Sequence, residues 1–358
     1  GKENDNNDKI AIEVGEIKFP PQDVLQLKSY YLSSSVHVDS IDYLIGYNYR
    51  LHSLDCMNLK SKSVTQIVLP GDGPDAIVRL SGIYAQSLDS VWISDESERA
   101  FLIDSVGTIK RMIDLKKYLE DQEQLLINTN YAMFTSHLFY NASRHSLMFL
   151  VKHTPSNTFI VKEVFIDEVG KMATYQLSSS KVVPDMSKGY AYINFPNVNF
   201  VGENIVYNYP VESSIYMLDI RTNERKYILA DSHYTSNIIE KCTTSGDYAT
   251  LEKHWLENSH FYDIMYLPKY KIYARLHADK VDFDEKKGME KLINERDLYL
   301  MLFDENMEKI GETKLSNCRY SPFTSWNATY GGIALFVDNV LDEKNNTDDL
   351  TIDIISLK

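Results

Sequence analysis

Short apolar runs that end in aspartate recur along the chain and are the first sign of its organisation. The clearest is Ala100–Asp104, which is followed by Gly107 in a turn and by a second strand pattern closing on Leu115. Four further segments share this pattern, with the aspartate at Asp55, Asp167, Asp219 and Asp304. Aspartate with glycine or asparagine supplies the chemistry of a tight turn, so the pattern predicts a repeated β-hairpin.

Two further stretches with strand-like patterns precede each hairpin, most clearly Asp39–Ile45 and Asp89–Ile93. Each unit therefore holds about four antiparallel strands, as one propeller blade does. Five hairpins and a sixth unit, from Tyr320 to Ile355, predict an all-β fold, a six-bladed β-propeller. We assign residues 10–358 to it as a single domain, because propellers of this length form one continuous core.

The sixth unit ends one strand short, and the other end of the chain offers the missing strand. Apolar residues alternate with polar ones there, at Ile10, Ile12, Val14, Ile17 and Phe19. The alternation slips by one position at Gly15, which suggests a β-bulge. We predict that this N-terminal strand completes the last blade and closes the ring, which removes an exposed sheet edge. The alternative is an ordinary edge strand.

Four segments lie outside the blade pattern. Residues 1–9 are polar and predict a disordered tether, or a remnant left by cloning. Lys116–Asn130 predicts a short amphipathic helix, Ser178–Gly189 a loop, and Ala278–Arg296 a charged, partly helical insertion in the fifth unit. Insertions in repeat folds fall on loops, where partners usually bind.

Charge and composition exclude several classes of protein. The 358 residues carry a formal charge of −14 with a pI near 5.1, which repels phosphate backbones, so we expect no nucleic-acid partner. Cys56, Cys242 and Cys318 lie far apart without metal-binding spacing and indicate neither a disulfide framework nor a zinc site. No apolar run approaches the ~18 residues that span a bilayer.

The sequence contains no nucleophile-elbow, zinc-protease, dinucleotide-binding, phosphate-loop or EF-hand motif. Propeller sites are instead built on the innermost strands, which we place at Leu32–Asp39, Ser81–Leu88, Ala132–Tyr140, Ile193–Phe200, His260–Leu267 and Ser321–Ala328. These strands contain only two carboxylates, Asp39 and Asp263, whereas hydrolysis of a glycosidic bond typically needs two acids facing each other. Their neutral polar and aromatic residues suit a water-filled channel or a weak polar ligand, including a sugar.

Six residues are candidates for ligand binding: His37, Arg79, His137, Asn194, Tyr262 and Trp326. Arg79 follows the Gly- and Pro-rich crossover Pro70–Ile77, whose backbone amides could approach a ligand at a channel mouth while the guanidinium binds a carboxylate. The alternative is a rigid turn with the arginine paired to a neighbouring acid.

The sequence favours neither a metal nor a cofactor. His254, His260 and Asp263 form the nearest approach to a cluster, but their spacing matches no metal-binding rule. The acidic clusters at 279–285 and 342–349 lack the ordered glycine of a calcium loop, so they are expected to be solvated loop tips.

Three motifs carry a family resemblance: the Gly73–Ile77 crossover, the Asp89–Ile93 strand and the Leu102–Leu115 hairpin. Together they resemble a Bacteroidetes family of unknown function with a TolB-like six-bladed β-propeller, although Ala76 stands where that crossover usually has glycine. The resemblance implies an exported lipoprotein of the cell envelope, in the periplasm or at the cell surface. It implies membrane contact only through a lipid anchor that precedes this sequence, and it carries over no catalytic residue.

We therefore expect a non-enzymatic binding or scaffolding propeller, a monomer that recognises an envelope protein or a glycan. The alternative is a carbohydrate- or peptide-directed hydrolase or lyase with a site at the channel mouth. Its catalytic groups would be Asp263, His137, Arg79 and Tyr320. A third possibility is a purely structural subunit of an envelope complex.

Overall fold

Six small β-sheets follow one another along the chain and are arranged as the blades of a propeller. The computed structural model describes residues 11–21, 27–183, 185–186, 188–190, 193–242, 247–322, 324–344 and 348–358. The prediction of an all-β, six-bladed propeller is confirmed. No helix in this described part combines the length and hydropathy that crossing a membrane requires.

Short strands and few helices build these blades. In chain order the strands are β1 (Ile12–Phe19), β2 (Ser33–Val38), β3 (Ile41–Asn48), β4 (Ser53–Asn58), β5 (Val64–Val68), β6 (Leu80–Ser87), β7 (Ser90–Asp95), β8 (Arg99–Ile103), β9 (Ile109–Asp114), β10 (Glu123–Leu125), β11 (Asn128–Asn130), β12 (Phe134–Ser136), β13 (Phe139–Asn141), β14 (Ser146–His153), β15 (Thr158–Phe165), β16 (Met172–Gln176), β17 (Asn197–Val201), β18 (Asn204–Asn208), β19 (Ile215–Asp219), β20 (Arg225–Ile228), β21 (His260–Leu267), β22 (Ile272–Ala278), β23 (Leu298–Phe303), β24 (Lys309–Lys314), β25 (Trp326–Ala328), β26 (Ile333–Phe336) and β27 (Leu350–Leu357). A 3-10 turn (Leu115–Tyr118) and two helices, α1 (Tyr248–Leu256) and α2 (Met289–Asn294), lie between them.

Each blade runs from an inner strand at the propeller axis to an outer strand at the rim. Blades 1, 2 and 5 are the simple four-stranded sheets β2–β5, β6–β9 and β21–β24. Blade 3 comprises β13–β16 with β10 added beside β14, and blade 4 comprises β17–β20 with β11 and β12 added at its inner edge. Blade 6 has the order β25, β26, β27 and β1, so its outer strand comes from the opposite end of the chain.

The predicted ring closure is confirmed in detail. Strand β1 pairs antiparallel with β27 in a continuous register from Ile12 opposite Leu357 to Phe19 opposite Leu350. The bulge expected at Gly15 is wrong, because the register passes through that residue without a shift. Ile10 and the proposed tether at residues 1–9 lie outside the described residues.

A guanidinium fastens this closing strand to its blade. Arg319 donates to both carboxylate oxygens of Asp353 in β27, at 2.5 and 2.9 Å, and to Glu16 in β1 at 2.8 Å. Phe19 is 0% exposed and belongs to an apolar cluster shared with the first blade. The closing strand is therefore held by backbone pairing, by packing and by charge.

Three of the repeated aspartates act as predicted in hairpin turns. The carboxylates of Asp104, Asp219 and Asp304 each accept hydrogen bonds from two backbone N–H groups of the following turn. The assignment of Asp55 to such a turn is wrong, because it lies inside β4 and accepts a 2.6 Å hydrogen bond from the Tyr30 hydroxyl. Asn58, three residues later, caps this turn by accepting from two backbone amides.

The segments outside the blade pattern show a mixed outcome. The helix predicted at Lys116–Asn130 is wrong: the chain forms one 3-10 turn and then β10 and β11, which pair with β14 and β12. Ala278–Arg296 contains α2, as expected, and the described residues of Ser178–Gly189 form neither helix nor strand. The sequence pattern did not predict α1.

A buried ionic network joins blades 4 and 5. The Glu312 carboxylate is 0% exposed and accepts hydrogen bonds from the Ser232 hydroxyl (2.5 Å), the His233 backbone (3.0 Å) and Lys309 (2.8 Å). The His277 ring Nε2 lies 3.1 Å from the same carboxylate. Burial acts to raise the pKa of Glu312, but these hydrogen bonds outweigh burial and lower the pKa to about 2.

Candidate functional site

The inner strands enclose a cavity of about 290 Å³ on the propeller axis. Its wall carries hydroxyl and amide groups, from Ser33, Ser35, Asn199 and Asn327, and aromatic rings, from Tyr84, Phe139 and Phe200. His137 and Asp263 also line it. This mixture of neutral polar and aromatic groups is the one that the inner strands predicted.

The cavity is a cup with a single mouth among the described residues. Exposure rises where the inner strands turn into the second strands, as at Gly202, which is exposed, and at Ala328, which is half-buried. At the opposite end the connection between β11 and β12 inserts Tyr131, which is 1% exposed. The Tyr131 ring packs 4.4 Å from that of Trp326, and Tyr262 lies 4.8 Å from Trp326. Trp326 lines the floor of the cup, and Tyr131 and Tyr262 pack against it from behind.

The inserted hairpin β11–β12 also brings His137 to the axis. Strand β12 pairs in parallel with β17, through Ser136 and Val198. The Thr135 amide donates to the Asn197 side chain at 2.8 Å, and the His137 amide donates to the Val198 carbonyl at 3.1 Å. The inner segment predicted at Ala132–Tyr140 is therefore wrong as one strand, because it divides into β12, on blade 4, and β13, on blade 3.

A β-bulge directs Asp263 inward. Phe261 pairs with His277 and Ile264 with Arg275, so that Tyr262 and Asp263 together face a single residue of β22. The carbonyls that the bulge disturbs are satisfied by amide side chains of blade 4: Asn197 donates to Phe261, Asn208 to Tyr262 and Asn199 to Ile264, at 2.8–2.9 Å. Bulges commonly re-aim a side chain at a functional site.

His137 and Asp263 form a hydrogen-bonded pair, although 126 positions separate them in the sequence. The imidazole Nε2–H donates to the Asp263 carboxylate at 2.8 Å; the aspartate side chain is 2% exposed and the histidine side chain 23% exposed. A buried carboxylate that accepts from one ring nitrogen fixes the orientation of the imidazole and leaves the other nitrogen for a ligand. Nearby, burial and then the Asp263 charge raise the pKa of Tyr131 well above its ordinary value.

Of the four residues suggested for an enzyme, the structure brings together Asp263 and His137. Tyr320 lies elsewhere, where its hydroxyl donates to the buried Asp353 at 2.6 Å, a structural contact like that of Tyr30 with Asp55. Arg79 lines a separate groove of about 450 Å³.

The remaining ligand-binding candidates divide between the cup and other surfaces. Trp326 lines the cup and Tyr262 supports its floor. His37 does not line it; the ring is hydrogen-bonded to Asp42 at 2.8 Å and stacks on Tyr330. Asn194 lies in a different surface groove.

Arg79 fits the alternative in which a neighbouring acid pairs with it. Its Nε donates to the Tyr31 hydroxyl at 3.3 Å and lies 3.7 Å from Glu96. The guanidinium carbon lies 5.3 Å from the centre of the Tyr31 ring. The aromatic residues Phe139 and Phe200 of the cup were not among the six candidates, although Phe200 ends a predicted inner strand.

No group of three His, Cys, Asp or Glu side chains in the described ranges is arranged to hold a metal ion. The suggested histidine cluster is not one site: His254 donates from Nε2 to the Glu240 carbonyl at 2.6 Å. His260 is fully buried and accepts at Nδ1 from the Trp255 indole at 3.1 Å. Burial lowers the pKa of His260 well below its ordinary value.

Comparison with known proteins identifies close structural relatives of this fold. A family model described as "Domain of unknown function (DUF4221)" matches residues 3–314. The crystal structure of a DUF4221 family member from Bacteroides vulgatus aligns with a TM-score of 0.76 at 14% identity, covering 97% of this chain and 99% of that one. The crystal structure of a Bacteroides fragilis protein described as a "Putative exported protein" aligns with a TM-score of 0.60 at 13% identity, covering 97% of this chain and 96% of that one. A comparison with curated protein sequences finds no significant match.

Proposed function

This chain belongs to the DUF4221 family, and we propose that it is a non-enzymatic binding protein of the bacterial cell envelope that takes a small polar ligand into its axial cup. The observation that carries the proposal is the cup itself, with His137 held at its wall by the buried Asp263. Ligand pockets are concave, largely preformed, and lined by aromatic groups with a few fixed polar ones. The cup is concave, and its lining combines aromatic rings with hydrogen-bonded polar groups.

The polar groups of the cup support binding rather than chemistry. The Ser35 hydroxyl donates to the Ala328 carbonyl at 2.5 Å, and Ser33 accepts from the Asn327 amide at 2.5 Å. A serine nucleophile needs instead a hydrogen bond to a general base. Asp263 is the sole carboxylate among the described lining residues, so the second acid of a glycosidase is lacking there.

The envelope location is proposed from the resemblance of this chain to other proteins, and not from the geometry of the cup. A relative with the same fold is described as exported, and the sequence motifs resemble a family of lipoproteins. We propose an outer-membrane lipoprotein facing the periplasm or the cell surface, with residues 1–9 as a tether. Palmitate labelling of the full-length precursor, followed by protease treatment of intact cells, tests this; an unlabelled protein in the cytoplasmic fraction would contradict it.

The binding proposal is tested by isothermal titration against a panel of small polar metabolites and glycans. We expect His137→Ala to weaken binding of any true ligand at least tenfold, because the residue presents its free ring nitrogen to the cup. His37→Ala is the matched control, since that ring lies outside the cavity lining and should leave affinity unchanged. The proposal would be refuted if the His137→Ala variant bound every ligand found with the same affinity as the native protein.

The paired imidazole and carboxylate also favour a second candidate, a hydrolase or lyase that uses His137 as a general base. A histidine oriented by a buried aspartate is a recurring device of acyl and proton transfer. Turnover of a carbohydrate or peptide substrate that Asp263→Asn abolishes would establish this candidate. Binding of the same compound without turnover would favour the binding protein.

A further inference from the structure

We propose that the ligand of the axial cup is a single neutral sugar unit, either free or at the end of a glycan. This inference rests on the proposed binding function and adds the class of ligand. It follows from the charge of the cup, from the distribution of aromatic and polar groups around the axis, and from the closed floor.

The charge of the cup disfavours both strongly anionic and strongly cationic ligands. No lysine or arginine occurs among its described lining residues, so His137 is the one side chain there that could carry a positive charge. The Asp263 carboxylate is 2% exposed. Its Oδ2 accepts from His137 and its Oδ1 is buried without a hydrogen-bond partner among the described residues, so a cation in the cup reaches neither oxygen directly. Burying an unpaired charge in such a site costs more free energy than burying an unpaired neutral polar group. A neutral ligand avoids this cost.

The two sides of the cup differ in chemistry. Blades 2, 3 and 4 contribute aromatic rings: Phe139 and Phe200 stack with centroids 5.1 Å apart, and Tyr84 meets Phe139 edge to face at 5.1 Å. Blades 6 and 1, across the axis from blades 3 and 4, contribute the polar groups of Asn327, Ser33 and Ser35. The division is not complete, because Trp326 of blade 6 and Asn199 of blade 4 also line the cup.

A pyranose ring matches this arrangement, because it has apolar C–H faces and a rim of hydroxyl groups. Its C–H face packs against aromatic side chains, as other apolar surfaces do. Its hydroxyls both donate and accept, so they can use the remaining acceptor sites of Ser33 and Ser35 although those serines already have partners within the protein. The free ring nitrogen of His137 supplies a further contact.

The floor limits how much of a glycan can enter. Trp326 lines the cup and is 3% exposed, and the buried rings of Tyr131 and Tyr262 pack against it, so this end of the cup is filled with side chains and leaves a polymer no path along the axis. The volume of about 290 Å³ lies just below the usual range of ligand pockets, which is on the order of 300–1,000 Å³. One sugar unit therefore enters from the mouth, and any attached chain stays outside.

The test is a titration of methyl glycosides of glucose, galactose, mannose and N-acetylglucosamine, with glucosamine and glucuronic acid as charged counterparts. At least one neutral sugar should bind about tenfold more tightly than either charged compound. Phe139→Leu should weaken that binding about tenfold, whereas Tyr49→Leu, which alters an aromatic ring outside the cup, should not change it. A linear trisaccharide ending in the same sugar should bind within about threefold of the single unit.

The outcomes separate this inference from the proposed function. Suppose that glucosamine or glucuronic acid binds as tightly as the neutral sugars and that this binding depends on His137. That result would refute the inference that the ligand is neutral, but the cup would remain a binding site. Binding that Phe139→Leu leaves intact, in a variant whose thermal unfolding shows it to be folded, would overturn the aromatic contact and this inference with it. Absence of His137-dependent binding by every compound would overturn both.

Discussion

The buried Glu312 provides the sharpest test of how the blades are held together. Replacing it by glutamine keeps the shape of the side chain and removes its negative charge. The carboxylate that carries this charge accepts hydrogen bonds from Ser232, Lys309 and His277. The native pKa of about 2, against an ordinary 4.5, means that folding favours the charged form. At about 1.4 kcal/mol for each tenfold change in proton affinity, the charge contributes about 3 kcal/mol to the free energy of unfolding.

The sign of the pH dependence follows from the same comparison. The native pKa lies below the ordinary value, so this contribution is complete above pH 4.5 and is lost as the pH falls towards 2. The Glu312→Gln variant should therefore be about 3 kcal/mol less stable than the native protein at pH 7, and the difference should shrink below pH 4.5 and approach zero near pH 2.

Urea unfolding followed by fluorescence, from pH 2 to pH 7, measures this difference. Glu308→Gln, on an exposed position of the adjoining hairpin turn, is the matched control and should follow the native protein throughout. A Glu312 variant within 0.5 kcal/mol of the native protein at pH 7, or a deficit that does not change with pH, would refute the reasoning.

Three further predictions concern the ring, its turns and its structural tyrosine. Phe19→Ala should lower the free energy of unfolding in urea by about 3–5 kcal/mol, because it empties a fully buried position. Val14→Ala, at a residue 46% exposed in the same strand, should lower it by under about 1 kcal/mol. Equal losses in the two variants would contradict the packing described. Gly107→Ala should lower the melting temperature several times more than Gly170→Ala. Both glycines have positive φ, 86° and 79°, which strains any side chain. Only at Gly107 would the new Cβ lie 2.5 Å from a carbonyl oxygen of the neighbouring blade. Tyr320→Phe should cost about 1–3 kcal/mol in urea by leaving a buried aspartate without its hydroxyl donor, and it should not alter ligand affinity, since a change in affinity would return this residue to the site.

Local patterns were sufficient for the architecture. The number of blades and the closing strand could be predicted because apolar alternation and aspartate turns are properties of neighbouring residues. Asp55 shows the limit of such patterns: it also ends a strand-like run, as the turn aspartates do, but its burial against Tyr30 depends on a residue 25 positions away. The missed strands β10 and β11 are short and polar, and they exist because β14 and β12 offer them edges.

The candidate site was predicted in its parts but not in its assembly. His137 and Asp263 were both candidates, yet their contact depends on two events that no spacing rule encodes. The first is the insertion of β11–β12 against blade 4, and the second is the one-residue bulge in β21. Arg79 and Tyr320 have equally suggestive side chains, but the fold places them outside the cup, where they contact Glu96 and Asp353.

The pairing of β1 with β27 also determines when the ring can close during synthesis and folding. Strand β1 leaves the ribosome long before β27 and can pair only after β27 has been made, so closure is a late step of folding. Until then the rim of the sixth sheet presents unpaired backbone groups, which are a template for association between nascent chains. Chains released before residue 350 would keep that open edge, and they would be expected to aggregate or to be degraded rather than to persist as a partial ring.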